Sequence, residues 1–371
     1  MKYYIFIYLL IFFFTNTLRS QQIHKAKFKE ILSIGDNEVA EKEYLFNDPS
    51  FICVDKAHRI FISESSEMAV RVFDSTGNYI KNIGRHGRGP GEFLNFTLMY
   101  INNNDELLIF DNFSARISIF KTSGKFEKQI IYDFNKLLWP RTINQFKDGN
   151  YLLGYKLPNI DGDFYEFDSS LQKIIAKSYS NIFSRYDAKI DEIMTMAFKN
   201  SVAILDDNTF ICAKHFYDGK LSIVVKRKNF WVLKKKVNGF VFNNVGYERI
   251  SGNEKDRNSK GKPRFELITH YNGEKILAKV FNVSKALFVL KDKRIIHFTT
   301  VTKKREKYFG FELFNQNLNL INYYEIYKKD VLLEQATTYP LEVLWKDEND
   351  NFYIVDYSKF PTVKKIKIFF N

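Results

Sequence analysis

The sequence predicts an all-β protein, a six-bladed β-propeller of four-stranded antiparallel blades. Two observations support this prediction: short runs rich in Ile, Val, Phe and Tyr alternate with Asp, Asn, Gly, Ser and Lys turns, and the pattern repeats every 47 residues. Four short antiparallel strands at a period of 40–50 residues are typical of a propeller blade. Six such blades need about 270 residues, and the chain has 371.

The repeat is clearest in the first three units. Val72-Phe73 aligns with Ile119-Phe120 at an offset of 47, and Glu166-Phe167 lies a further 47 residues along. In each unit an apolar strand ends in a polar turn, a second strand ends near an acidic residue, and a third ends in a tight turn before the fourth strand. Six turns of the first kind are found, at 54–58, 102–106, 147–150, 205–210, 290–295 and 345–351.

Composition excludes several other classes of protein. With 45% hydrophobic and 17% aromatic residues, the chain does not resemble a disordered protein, and two Cys exclude a disulfide scaffold. Cys53 and Cys212 lie in apolar runs and are expected to be small buried residues. The net charge of +13 is spread over short Lys runs, which solvated Lys side chains on the outer face of alternating strands explain. No nucleic-acid partner is therefore expected.

The first 20 residues predict an export signal. Lys2 precedes an apolar run from Tyr3 to Phe14, which is shorter than the roughly 20 residues of a membrane-spanning helix. Cleavage near Ser20 would leave residues 21–371 as one propeller domain, monomeric and without a stable membrane span. We expect it in the periplasm, at the cell surface or secreted. A sensor-type propeller that keeps this segment as an anchor is the alternative.

The chain is longer than six blades require, and the last unit is short. Residues 181–199 have helical spacing and predict a helical insertion, whereas the polar residues 248–264 predict a mobile loop. The sixth unit ends after about three strands. Because a propeller that does not close leaves unpaired strand edges, we expect the segment from His24 to Ile34 to supply the outer strand of the last blade.

The linker between the first two units reads GRHGRGPGEF (residues 84–93) and follows VFDSTGNYIKNI. Together these segments resemble the NHL-type repeat of six-bladed propellers. More closely, they resemble the exported six-bladed β-propeller proteins found in Bacteroidetes. The resemblance is specific over residues 50–130, and only the blade rhythm continues after residue 140. It implies the fold and export, but no activity.

Candidate ligand-binding residues lie on the face that carries the blade-to-blade linkers. Arg85, His86 and Arg88, with Glu92, could bind an anion or a carboxylate, because Arg offers a planar fork of donors. The alternative is that the glycines allow a tight crossing between blades while Glu92 pairs with an Arg. Glu64, Asp111 and Asp356 end the second strand of three blades. They could bind a cation at the channel mouth, or cap a turn.

We expect a binding or scaffold module that engages an unknown protein, peptide or glycan of the cell envelope on the linker face. The alternative is a metal-dependent propeller hydrolase or lyase with its site at the central channel. The sequence predicts no cofactor and assigns no metal ligand or catalytic residue, because the six His show no short metal-ligand spacing and no G-x-S-x-G motif is found. A Ca or Zn ion held by residues from several blades is left open.

Overall fold

The computed structural model describes residues 22–35, 41–132, 140–154, 163–178, 182, 200–240, 246–249, 266–271, 274–303, 306–326, 341–357 and 360–370. The predicted signal segment 1–20 lies outside these ranges, as does the predicted helical insertion 181–199 apart from residue 182. Of the predicted loop 248–264, the first two residues belong to a strand and the rest lie outside the described residues.

The strands of the first three blades follow one another along the chain. The amino-terminal segment forms β1 (Ile23–Lys25) and β2 (Lys27–Ile34), before a 3-10 turn at Lys42–Tyr44. Blade 1 contains β3 (Ile52–Val54), β4 (Ile60–Glu64), β5 (Ala69–Phe73) and β6 (Tyr79–Ile83). Blade 2 contains β7 (Leu98–Ile101), β8 (Glu106–Asp111), β9 (Arg116–Lys121) and β10 (Phe126–Ile131). Blade 3 contains β11 (Thr142–Gln145), β12 (Tyr151–Gly154), β13 (Phe164–Phe167) and β14 (Ile174–Ser178).

The later blades keep the same order around one insertion. Blade 4 contains β15 (Ser201–Asp206), β16 (Thr209–Ala213), β17 (Lys220–Arg227) and β18 (Phe230–Asn238). A separate sheet follows, made of β19 (Tyr247–Arg249), β20 (Glu266–Tyr271) and β21 (Glu274–Val280). Blade 5 contains β22 (Asn282–Val289), β23 (Ile295–Lys303), β24 (Glu306–Phe314) and β25 (Leu320–Ile326). Blade 6 contains β26 (Leu341–Lys346), β27 (Asn351–Asp356) and β28 (Thr362–Phe369).

Burial along each blade explains the apolar runs of the sequence. In blade 1 every residue of β3, β4 and β5 is buried, whereas β6 alternates between half-buried and exposed positions before its buried last residue, Ile83. A sheet packed between two neighbouring sheets is covered on both faces, so its inner strands need few polar residues. The outer strand borders solvent and regains an alternating pattern. The all-β, six-bladed architecture predicted from the sequence is confirmed.

Hydrophobic clusters join the blades. Six clusters are found among the described residues, one between each pair of successive blades. Phe73, Phe120 and Phe167, the aligned aromatic residues of the repeat, are all buried at the end of a third strand. Cys53 and Cys212 are fully buried and are not joined in a disulfide, which confirms the prediction that they are small core residues.

The first turns of the blades are hydrogen-bonded to one another. The backbone N–H of Lys56 donates to the Asp105 carboxylate of blade 2 at 3.0 Å, and that of Lys291 donates to the Asp350 carboxylate of blade 6 at 3.0 Å. Asp105 and Asp350 occupy the same turn position and have φ angles of 62° and 56°. Asp tolerates this left-handed conformation better than most residues. Each of these residues therefore shapes its own turn through its backbone and contacts the preceding blade through its carboxylate.

The inner strands form a closed ring. Strands β3, β7, β11, β15, β22 and β26 are neighbours in this order, and β26 returns to β3. Strand β2 pairs antiparallel with β28 and is the outer strand of blade 6, from Lys27 opposite Phe369 to Ile34 opposite Val363. Strand β1 instead pairs in parallel with β25 of blade 5. The amino-terminal segment thus adds strands to two blades.

Two features were not predicted from the sequence. Blades 3 and 4 form one eight-stranded sheet, because the outer strands β14 and β18 pair in parallel at Lys177–Phe230 and Ser178–Trp231. The sheet β19–β21 lies in the connection between blades 4 and 5, and its strands β19 and β20 flank most of the predicted loop 248–264.

We predict that the inward side chains of β2 stabilise the whole ring. Ile34 is 2% exposed and packs between blades 6 and 1, whereas Ile31 of the same strand is 48% exposed. Replacing Ile34 by Ala should lower the free energy of unfolding by about 2–4 kcal/mol, because it leaves a cavity in the core. Ile31→Ala should cost less than about 0.5 kcal/mol.

Urea denaturation of the two variants measures this difference. Similarly small losses for both substitutions would show that the ring does not depend on the packing of β2.

Candidate functional site

The chain path divides the loops between two faces of the ring. Each linker leads to the beginning of an inner strand, and the first turn of the blade lies at the opposite end of that strand. The linkers and the loops between second and third strands therefore share one face, which we call the linker face. Linker 84–97 and the loop of residues 112–115 belong to it.

A buried arginine stabilises the backbone of linker 84–93. Arg116 is 8% exposed, and its guanidinium donates to the carbonyl oxygens of Arg88 at 2.8 Å and Glu92 at 3.2 Å. The Glu92 carboxylate accepts hydrogen bonds from the Gly89 N–H and from Arg85 Nε, both at 2.8 Å. These two interactions hold the pKa of Glu92 below its usual value.

This support leaves several side chains of the linker face exposed. Arg85, His86 and Arg88 are exposed, and the Arg85 side chain remains so although it pairs with Glu92. Phe113 on the adjacent loop is 64% exposed. Its loop is tied to the same anchor, because Arg116 Nε donates to Ser114 Oγ at 2.9 Å. We refer to Arg85, His86, Arg88 and Phe113 as the linker patch.

Glu64 and Asp111 have the geometry of turn caps. Glu64 is fully buried, and its carboxylate accepts from the backbone N–H groups of Asn47 at 2.9 Å and Asp48 at 3.2 Å. The Asp111 carboxylate accepts from the N–H of Leu94 at 2.8 Å and of Phe113 at 3.1 Å. These contacts correspond to the turn-capping alternative, and they secure the linkers that enter blades 1 and 2.

Asp356, the equivalent residue of blade 6, is buried and forms an ion pair with Lys364 at 3.2 Å. Lys364 also lies 3.3 Å from the Glu30 carboxylate of the outer strand β2. Across the described ranges, no group of three or more His, Cys, Asp or Glu side chains is arranged to hold a metal ion.

A cavity of about 110 Å³ lies in the central channel. All six inner strands contribute to its lining. Tyr100, Phe288 and Trp345 lie near the turn-face ends of their strands. Tyr100 belongs to blade 2 and Trp345 to blade 6, the two neighbours of blade 1. Their ring centroids are 6.0 Å apart, so the two rings meet in the channel beside blade 1. These aromatic residues form a floor, and burial raises the pKa of Tyr100.

The wall formed by blades 3 and 4 contains the polar part of the lining. It contains Thr142, Asn144, Asn200 and Ser201. Within the described part of the chain, the buried hydroxyl oxygen of Thr142 has no hydrogen-bond partner. Asn200 Oδ1 accepts from the His215 N–H at 3.1 Å, which fixes one end of its amide. An apolar floor beside a few fixed polar groups is the usual composition of a small-molecule site.

A buried chain of hydrogen bonds leads away from Ser201. Ser284 Oγ donates to Ser201 Oγ at 2.7 Å, and it also lies 2.7 Å from His297 Nε2. His297 Nδ1 lies 2.7 Å from Glu312 Oε2, which also accepts from the Tyr217 hydroxyl at 2.7 Å. All five side chains are at most 2% exposed. This chain of hydrogen bonds joins blade 4 to blade 5.

The Glu312 end of this chain is enclosed by protein. Its other oxygen, Oε1, accepts from the backbone N–H of Phe240 at 2.5 Å. A side chain at Gly239 would overlap both Glu312 and the Tyr217 hydroxyl, so glycine is required there. Burial, together with the charge of Glu312, raises the pKa of Tyr217.

Sequence reasoning did not identify this chain. His297 and Glu312 face each other on β23 and β24, and Ser284 and Thr299 are opposite each other on β22 and β23. The available signal is one ionisable residue inside each of two apolar strands, IIHFTT and FGFELF. A buried ionisable group usually has a partner. The sequence could therefore have predicted that these two residues contact each other.

The family of the chain follows from a comparison with family models. A model described as a six-bladed β-propeller, DUF5128, matches residues 20–349. The chain belongs to this family. A search of curated proteins found no match.

Solved structures show the same propeller fold. A protein of Bacteroides fragilis whose name describes it as exported is 14% identical, with 95% of this chain and 97% of that chain covered and a TM-score of 0.56. A DUF4221 family member from Bacteroides vulgatus is 11% identical, with 94% and 100% covered and a TM-score of 0.54.

These identities establish similarity of fold alone. Within the residues that the structure describes, no helix combines the length and the hydropathy needed to cross a membrane.

We predict that Glu312 is the most sensitive member of the buried chain. Glu312→Leu leaves the Tyr217 hydroxyl, the Phe240 N–H and His297 without an acceptor, and should lower the free energy of unfolding by about 3–5 kcal/mol. Glu348→Leu is the control, because that side chain is 75% exposed and its contact with His58 is 3.8 Å long. The control should cost less than about 1 kcal/mol.

Chemical denaturation of both variants provides the measurement. A loss below about 1 kcal/mol for Glu312→Leu would contradict the contacts described for its carboxylate.

Proposed function

We propose that this propeller is an exported binding module that engages an anionic partner on its linker face. The observation that supports the proposal is the linker patch, which presents Arg88, His86 and Phe113 to solvent on a backbone fixed by Arg116 and Glu92. A prearranged surface loses less conformational entropy on binding than a loose loop.

The chemistry of the patch favours a carboxylate or sulfate group beside an apolar one. An Arg guanidinium donates two parallel hydrogen bonds to such an anion, and the exposed Phe113 ring offers an apolar contact next to it. Glu92, an acidic group of the linker itself, is already paired with Arg85. An acidic protein segment, a peptide or an acidic glycan of the cell envelope would meet these requirements.

The overall charge supports the same proposal. A formal net charge of +13 attracts anionic partners over several ångströms and increases their rate of encounter. Export is supported by the apolar segment at the start of the sequence, by the resemblance to exported propellers, and by the name of the Bacteroides fragilis structure. The metal-dependent hydrolase or lyase is the alternative, and no feature of the described residues singles it out.

We predict that the double variant Arg85→Ala, Arg88→Ala weakens capture of an envelope partner by about tenfold or more, because charge-assisted hydrogen bonds are lost. The measurement is affinity capture from a detergent-solubilised envelope extract, with quantification of the retained components. Lys125→Ala, Lys128→Ala is the control, since both lysines are exposed on the same blade but away from the linker face.

The control should retain the full amount of partner, and both proteins should keep the melting temperature of the wild type within about 3 °C. Equal capture by both double variants would place binding elsewhere. If the wild type retains no envelope component, the binding function is wrong.

A further inference from the structure

The donors and acceptors in the buried hydrogen-bond chain behind Ser201 can be assigned one by one, and they give the chain a direction of donation. Ser284 gives its one hydroxyl proton to Ser201, so its contact with His297 needs a proton on Nε2 of the ring. His297 Nδ1 faces a Glu312 oxygen that also accepts from Tyr217, so this nitrogen donates as well. In this arrangement the ring donates from both nitrogens, to the Ser284 hydroxyl oxygen and to the Glu312 carboxylate.

This direction makes Ser201 a donor to the channel. Its oxygen accepts the proton of Ser284, which leaves its own O–H for another acceptor. Hydrogen bonds in a chain polarise one another, and the effect is larger where water is excluded. The imidazole–carboxylate pair therefore strengthens the hydroxyl of Ser201, which lines the channel cavity.

The other residues that line the cavity disfavour a charged ligand. None of the residues that the structure places around the cavity is Asp, Glu, Lys, Arg or His. Bringing an ion into such a cavity would cost more free energy than hydroxyl and amide groups return. The floor of Tyr100, Phe288 and Trp345 instead favours a flat apolar group, because aromatic rings pack well by edge or offset contacts.

We propose that the channel cavity binds a small uncharged molecule that joins a ring-sized apolar group to a carbonyl oxygen. The apolar group lies on the aromatic floor, and the carbonyl accepts the hydrogen bond of Ser201. Thr142, whose buried hydroxyl has no partner in the described structure, supplies a further polar contact. This site is separate from the linker patch and does not depend on the anionic partner proposed for it.

The test uses matched fragments that differ by the carbonyl group. Benzamide is compared with toluene, and acetophenone with ethylbenzene, by titration into the purified protein with isotope-labelled methyl groups. Met99 and Leu287 line the cavity and report occupancy. We expect the carbonyl member of each pair to shift these signals at lower concentration than its counterpart.

Three variants locate the interaction. Ser201→Ala should raise the dissociation constant of the carbonyl fragments about fivefold to tenfold and leave the hydrocarbons unchanged, because one hydrogen bond is lost. Thr142→Val should raise it by a smaller factor. Ser222→Ala is the control, since Ser222 is a buried serine of the same blade whose hydroxyl contacts the Ile182 carbonyl, and it should have no effect.

Two results would overturn the proposal. One is that no carbonyl fragment shifts the Met99 and Leu287 signals of the folded wild-type protein. The other is that Ser201→Ala, shown to be folded by its methyl spectrum, keeps the full preference for the carbonyl member of each pair. Failure of the envelope capture experiment would affect the linker patch alone.

Discussion

Closure of the ring is the constraint on which the rest of the structure depends. An open series of six sheets would leave an unpaired strand and an uncovered apolar face at each end. Here the outer partner of β28 is β2, a strand from the amino-terminal segment of the chain. The packing of Ile34 between blades 6 and 1 covers the last apolar face. Strand β1, paired with β25, extends the same segment over blade 5.

Closure also determines which residues can form a site. Every inner strand begins at the linker face, so the first residues of strands that are distant in sequence meet around one channel. Ser201 and Ser284 are 83 positions apart and yet share a hydrogen bond, because β15 and β22 are neighbours in the ring. The linker patch depends on the ring differently. Arg116 reaches it from the third strand of blade 2 and holds the linker through the carbonyl oxygens of Arg88 and Glu92.

Features that recur in every blade could be predicted from the sequence, whereas features found in a single blade were not. The aligned residues Phe73 and Phe120, the first turns and the missing outer strand could be read from spacing, because these features recur in each blade or complete it. The facing positions of His297 and Glu312 depend on strand register in one blade, which no repeat specifies. The pairing of β14 with β18 depends on how far two outer strands extend. Lys364 and Lys365 form one of the short Lys runs of the sequence, yet they lie in the third strand of blade 6, where Lys364 pairs with Asp356 and Lys365 with Asp347.

The buried polar chain between blades 4 and 5 is best understood as a device for orientation. Burying an ionic pair seldom adds stability over an apolar pair of the same size, and the same boundary already has an apolar cluster that includes Leu221 and Leu287.

The polar chain instead fixes the relative placement of blades 4 and 5. The Tyr217 hydroxyl and the Phe240 N–H come from blade 4 and its linker, and both reach Glu312 of blade 5 in one relative placement of the two blades. That placement fixes Ser284 and, through it, the direction of the Ser201 hydroxyl at the channel wall. A fully apolar boundary would hold the blades together equally well, but it would leave that hydroxyl free to rotate.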